Sequence, residues 1–436
     1  MEFEKCKLRD IADVMISGVD KKSNNDETPV RLCNFVDVYR NWAITSSLHD
    51  TFMQATAKQI EIDRFLLHKG QVAITKDSET RNDIGIATYI ADDFDDVILG
   101  YHCALITPNN ELVDSKYLNA FLHSNYILRY FELNATGSGM RYTLSNDTIL
   151  NMPILLPSIE QQKAIGRVFS NIDKQIETLN SINRNLEQFA RQLYDYWFVQ
   201  FDFPNSEGKP YKSSGGEMVW NEKLKRSIPK DWKVVALDSL IDDSRGISYN
   251  GSMILGSGIP MINLASFNID GTYKHSGLKY FNGVYSSNKV LKPFDLVMCN
   301  TQQTAIDEKK DIIGKAFLIP ALFESDVVSS HHVTTIICKS EEIKPFLAYL
   351  FNTRHFHKYA AGCCSGTNIM GLDMKNLKKY ELEIPSKELL KRFSRLIIDI
   401  ESQKSINVKK VLCFKKIRDD LLPMLLNGQV NCDLSQ

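Results

Sequence analysis

Base edges and phosphates are recognised by few side-chain types. Arg and Lys match guanine, Asn and Gln match adenine, and apolar groups meet the thymine methyl. Lys, Arg, Ser and Thr also hold phosphates and set position. Six loops of this chain concentrate such residues. In the first half they are Lys21-Lys22-Ser23-Asn24-Asn25, the run from Lys76 through Ser78, Thr80 and Arg81 to Asn82, and Gly139-Met140-Arg141-Tyr142. In the second half they are Arg245-Gly246-Ile247-Ser248-Tyr249-Asn250, Asn300-Thr301-Gln302-Gln303-Thr304, and Ser365-Gly366-Thr367-Asn368. Any one of these side chains could equally be a solvated loop residue, so the set carries the expectation of DNA contact. Asn300, Gln302 and Gln303 further suggest adenines opposite the second half.

Motifs for covalent chemistry are missing or incomplete. The chain has no Asn/Asp-Pro-Pro-aromatic tetrapeptide for a flipped adenine and no GxxxxGK[ST] loop for a nucleotide. Gly137-Ser138-Gly139 and Gly256-Ser257-Gly258 lack the third glycine and the strand–turn–helix setting of a cofactor loop. Asp92-Asp93 and Asp95-Asp96 share one acidic loop without a nuclease lysine, which reads as a solvated turn. His102 and His332 sit at matched places in matched strands, favouring a structural role over base catalysis. His331 beside His332 makes no metal site without more ligands. Nine cysteines occur without a CxxC pair, and Cys363-Cys364 are adjacent, so reduced thiols are expected. No catalytic or metal residue is assigned.

The elements that must hold these loops come in duplicate. Pro157-Ser158 and Pro385-Ser386 each open a long helical pattern, at an offset of 385 − 157 = 228. Ile84-Gly85 aligns with Ile313-Gly314, His102 with His332, and Leu118 with Leu347, within a residue or two of that offset. GQVAIT (70–75) and CALITP (103–108) are strand-like, and Lys116 to Phe131 is helical in spacing. FDLVMCN, VTTIIC and Pro345 to Phe351 repeat that order in the second half. The fold class is α+β: two similar domains and two long antiparallel coiled-coil helices in a pseudo-two-fold repeat. The expected segments are 1–157, a helix over 158–198, an ordered but irregular linker over 199–231, a second domain over 232–385, and a helix over 386–428.

Ser158 and Gln161 form a capping-box pattern. The first seam then runs Ile165, Phe169, Ile172, Ile176, Leu179, Asn183, Leu186, Ala190, Leu193 and Trp197, alternating steps of four and three as in a coiled coil. Asn183 either fixes register inside the seam or meets water at a frayed edge. The second seam keeps Phe393, Ile397, Ile400 and Leu421, but Lys404, Asn407 and Arg418 fall where apolar partners are expected. Pro423 should interrupt the last turns, and Gly428 should stop them. Neither stripe is buried alone, so the helices should pair into a ruler of at most ~60 Å. Tyr194, Tyr196, Trp197 and Phe198 either anchor a partner or pack under the linker.

Bulk properties are those of an ordinary soluble protein: 43% hydrophobic, 24% charged, net charge −1. That charge argues against blanket electrostatic binding but allows a basic face. No apolar run approaches the ~20 residues of a membrane span, and the first residues have no secretory apolar stretch, so a cytoplasmic location is expected.

On these residues the chain resembles specificity subunits of type I restriction–modification enzymes. The resemblance rests on ILLPSIEQQKAIGRVFSNIDKQIE (154–177), DFPNSEGKPYKSSGGEMVW (202–220), LLPMLLNGQV (421–430), GTNIMGLDMKNLKKYELEIPS (366–386) and its counterpart GSGMRYTLSNDTILNMPILLPS (137–158), in order along the whole chain. It implies a non-catalytic subunit whose two domains read the halves of a split, asymmetric target in double-stranded DNA. It also implies docking of two DNA adenine methyltransferase subunits, and of two ATP-dependent restriction/translocase subunits where present. S-adenosylmethionine, ATP and Mg would then belong to those partners. The rival readings are a coiled-coil scaffold without a DNA role and a fused nuclease–methyltransferase, the latter opposed by length and missing motifs.

Overall fold

In the computed structural model the described residues are 3–138, 141–303, 311–367 and 369–426. They form two compact units, one of the described residues up to 178 with those from 411 onward, and one of residues 179–410. Each unit therefore holds a stretch of both long helices, since an amphipathic stripe needs a facing surface to be buried.

In the first unit five strands pair in the order Ala12–Ile16, Cys103–Pro108, Val72–Thr75, Ala87–Ile90, Ala43–Ile44. Beside them lies a small sheet, Thr136–Ser138, Arg141–Thr143, Asp77–Ser78. The second unit repeats both. Its four-stranded sheet runs Ile241–Arg245, Val333–Cys338, Leu296–Cys299, Ala316–Leu318, and its small sheet Thr301–Gln303, Ile369–Leu372, Cys364–Ser365. The repeat extends to backbone detail. Gly85 and Gly314 both have positive φ (78° and 74°), where an added Cβ would meet Phe131 and Ala360 respectively. The helical region after Cys103–Pro108 is split into Ser115–Leu122 and Asn125–Asn134 because Ser124 caps the second piece.

The first long helix spans Ile159–Tyr194 and opens with the expected reciprocal cap: Ser158 N–H donates to Gln161 Oε1 (3.3 Å), and Gln161 N–H to Ser158 Oγ (3.4 Å). Ile165 and Phe169 are buried in the first unit's core together with Leu422 of the second long helix. In the second unit Leu186 and Leu193 pack on a core that holds Phe393, Ile397 and Ile400. Asn183 Nδ2 donates to the Lys404 carbonyl (3.2 Å), and Asn407 Nδ2 donates to Asn183 Oδ1 (2.8 Å). Contacts that rise along one helix and fall along the other make the pairing there antiparallel.

The polar breaks in the second seam have partners. Lys404 is ion-paired to Glu187 (2.7 Å) and Glu401 (2.8 Å). In the first unit the Arg418 guanidinium lies 4.5 Å over the Trp42 ring, which also stacks on His123 and packs against Phe169. One expectation needs correcting. The second long helix runs Lys387–Leu426 straight through Pro423. Leu422, beside the proline, is buried in the first unit's core and holds that last turn in place. Gly428 lies outside the described residues.

Tyr194, Trp197 and Phe198 are buried among Phe346, Phe393 and Trp232, so packing is their role, while Tyr196 stays exposed. Residues 199–231 are ordered by Asp202, which accepts from Ser213 N–H (2.7 Å) and Oγ (2.6 Å), and by a hairpin of Met218–Asn221 with Arg226–Pro229. No described helix is long and apolar enough to cross a membrane.

Candidate nucleic-acid interface

The first unit gathers most of its candidates on the small sheet. Asp77–Ser78 pairs with Arg141–Thr143, which places Lys76, Ser78, Arg141 and Tyr142 side by side. Lys76 Nζ donates to Thr143 Oγ1 (3.0 Å) and lies 3.5 Å from Asp77 Oδ1. Arg81 stacks its guanidinium 5.2 Å from the Tyr142 ring centre. Thr80 is exposed in the turn, its N–H donated to Ser78 Oγ.

His102 belongs to this group. Its φ is +69°, and Nδ1 is hydrogen-bonded to Asp77 Oδ2. The Arg141 guanidinium stands 2.9 Å from the same ring nitrogen and 3.6 Å from Asp77 Oδ2, yet remains largely exposed. Burial alone would push the Asp77 carboxyl up, but hydrogen bonds from Thr143 and His102 and the Lys76 charge hold it below the usual range. An ionised carboxylate thus fixes one side of Arg141 and leaves the rest of its fork toward solvent, an arrangement suited to a base edge or a phosphate. Lys21 reaches over the Tyr101 ring (5.6 Å), which itself lies 3.8 Å from the His102 ring. Lys22 is exposed, on a turn tied by its N–H to Asp20.

The second unit uses the same backbone with other side chains. Lys76 N–H donates to the His102 carbonyl, and Asn300 N–H to that of His332; Leu144 N–H donates to Lys76, and Leu372 N–H to Asn300. Lys76 and Asn300 are therefore equivalent positions. Asn300, however, is 1% exposed, with Nδ2 on Thr334 Oγ1 (2.7 Å) and Oδ1 accepting from Thr301 (2.7 Å). Gln302 is also buried, and its Oε1 accepts from Ile312 N–H (2.8 Å). The expectation of an adenine contact is corrected for Asn300, whose amide nitrogen and oxygen are both occupied inside the fold, while Gln302 is largely buried with its Oε1 committed to the backbone. Gln303 lies on the same strand, paired with Ile369. Thr367 is exposed, and Asn368 lies outside the described residues.

Arg245 is exposed at the end of Ile241–Arg245, Tyr249 packs near the His331 ring (5.7 Å), and Asn250 is exposed with its Oδ1 accepting from Ser252. The sheet surface equivalent to Arg141–Tyr142 is instead Ile369 and Met370, with Ile369 60% exposed. Residue types alone missed His102, Asp77, Tyr101 and Ile369. The doubling of His102 was visible, but its left-handed backbone and its carboxylate partner were not.

The acidic loop is structural. Asp92 accepts from Ser46 N–H, Asp93 from Lys69 N–H, and Asp96 from His49 Nε2. Among the described residues no cluster of His, Cys, Asp and Glu could hold a metal ion.

The family described as type I restriction modification DNA specificity domain matches residues 1–188 and again 229–410. The chain belongs to this family. The paired match falls on the two halves of the structural repeat. Similar curated proteins include the MjaIX specificity subunit of Methanocaldococcus jannaschii, 24% identical over 75% of this chain and 72% of that one. The HindI specificity subunit of Haemophilus influenzae is 24% identical over 81% and 85%. Among solved structures, a type I restriction-modification S subunit from M. genitalium shares the fold at TM-score 0.55 and 13% identity, covering 98% of this chain and 96% of that one.

In the second unit the first long helix and the turn that follows it carry exposed apolar side chains. Ile182, Phe189 and Tyr196 are spaced seven apart and are exposed by 41%, 54% and 39%. Seven-residue spacing puts Ile182 and Phe189 on one face of the helix, flanking the seam of Asn183, Leu186 and Ala190, and Tyr196 follows in the π-helical turn Asp195–Val199.

Proposed function

We propose that this chain is the sequence-reading subunit of a type I restriction–modification assembly and carries no catalysis itself. Each unit reads one half of a split, asymmetric target in double-stranded DNA. The observation that carries this is the internal repeat. Two units share one backbone down to individual hydrogen bonds, yet they present Arg141 and Tyr142 on one small sheet and Ile369 and Met370 on the other. Identical frames with different side chains are what reading two unlike half-sites requires.

The Ile182–Phe189–Tyr196 stripe supports docking of a helical partner, the class of surface a methyltransferase subunit would cover. Two methyltransferase subunits fit a two-fold repeat, and two ATP-dependent restriction subunits complete the proposed assembly. S-adenosylmethionine, ATP and Mg are assigned to those partners. The carboxylates and histidines of this chain support that assignment, since Asp77, Asp92, Asp93 and Asp96 all hold its own structure.

The test is modified-base sequencing of DNA from an unmethylated host that expresses this chain with a type I methyltransferase subunit. Methyladenine at one split motif, lost when the chain is omitted, is the expected result. A soluble complex that marks no motif would favour a scaffold without a DNA role.

A further inference from the structure

A cleft of about 630 Å³ crosses the second unit along the strand Val333–Cys338, walled by the loop of Lys289 and Lys292 and by Arg245. Its acids are Asp295 and Glu341, and both are bound by Lys344, at 3.2 Å and 2.7 Å. With Arg245, Lys289, Lys292 and Lys344 against those two carboxylates, the cleft carries 4 − 2 = 2 positive charges in excess. Among the described residues no carboxylate pairs with Arg245, Lys289 or Lys292.

Lys289 is held in place rather than left to swing. Its ammonium donates to Ser244 Oγ (2.9 Å) and to the Arg245 carbonyl (2.8 Å). An ammonium has three donors, so one remains for a ligand. Both Lys289 contacts lie at the Arg245 end of the strand Ile241–Arg245. That end pairs with Thr334, just past the His331-His332 turn to which Asn300 and its small sheet are tied. The field there is positive: beyond burial, His331, Arg245 and Lys279 all disfavour the charged form of His332. A held ammonium with no carboxylate partner, beside Arg245 and Lys292 in a concave polar site, is an arrangement that can seat a phosphate.

We propose that Arg245, Lys289 and Lys292 form a seat for a backbone phosphodiester of duplex DNA, which anchors the second unit without reading sequence. The proposal rests on the DNA-specificity reading above. Such an anchor strengthens binding to every sequence alike and contributes to salt dependence, unlike a contact to a base.

The full chain in complex with a methyltransferase subunit is titrated with two duplexes, one carrying the motif it methylates and one scrambled, from 50 to 200 mM salt. Lys289→Ala is expected to weaken both duplexes by the same factor and to make the log–log salt slope shallower by about 0.9. The affinity gap between wild type and variant should therefore shrink roughly three- to fourfold over that range. Lys289→Arg should restore the slope, which separates lost charge from lost folding. An unchanged slope, or a loss confined to the motif duplex, overturns the proposal while leaving the specificity function standing. A complex that methylates no motif overturns the function itself. Inorganic phosphate, added at fixed ionic strength, should leave thermal unfolding unchanged. Stabilisation by phosphate that disappears in Lys289→Ala would assign the cleft to a small phosphoryl ligand instead.

Discussion

Replacing Lys404 with methionine should be among the most damaging single changes in the second unit. Lys404 lies between Glu187 and Glu401 at 2.7 and 2.8 Å, and the three side chains are only 14–18% exposed. Lys404→Met leaves two neighbouring carboxylates in a desolvated site without a counter-charge. Breaking such a buried pair from one side costs about 3–5 kcal/mol. For a unit of this size that is roughly 6–20 °C in Tm.

The loss should depend on pH with a definite sign. Burial, reinforced by Glu187, already raises the Glu401 carboxyl, with Lys404 opposing. Without Lys404 the upward shift grows, so the folded chain binds more protons than the unfolded one. Stability of the variant then falls as pH rises through the folded value, and recovers below the unfolded glutamate value of about 4.3. Urea titration of the full chain, followed by amide exchange in residues 179–194 and 387–410, reads this directly. A triple change, Glu187→Leu with Lys404→Met and Glu401→Leu, should recover most of the stability, because well-packed apolar groups can replace a buried ionic set. Wild-type stability of Lys404→Met at neutral pH, or an equal loss at pH 4.5 and pH 8, would refute the reasoning.

Three further outcomes are expected. Arg141→Ala should relax one half of the methylated motif by about 1–3 kcal/mol of base discrimination and leave the other half intact; an unchanged motif at every position would remove Arg141 from the interface. Asn407→Ala should destabilise the chain by about 1–3 kcal/mol in urea unfolding, because it strands Asn183 Oδ1, whereas Asn183→Leu with Asn407→Leu should be close to neutral. Phe189→Asp should stay within about 0.5 kcal/mol of wild-type stability, since its side chain is exposed, yet lose the methyltransferase subunit on co-purification; retention of the partner would dismiss the stripe as a docking surface.

The sequence alone determined the repeat, the α+β class, the helix starts and the family. These are local or periodic properties: a capping box spans four residues, a seam is a spacing, and a half-buried strand is an alternation. Ser158 and Gln161 show this, since the pattern and the observed hydrogen bonds agree bond for bond. The tertiary structure decided which polar residues face outward. Asn300 and Arg141 looked equally suited to a base edge in sequence, but Thr334 and Thr301 close around Asn300, and Asp77 with His102 leaves Arg141 standing in solvent. The same holds for Lys404 and Arg418, apparent faults in a seam until Glu187 and Trp42 are brought against them. Those partners come from 217 and 376 positions away (404 − 187 and 418 − 42). A polar side chain's role is set by what completes its hydrogen bonds and charge, and over such separations only the folded chain determines that.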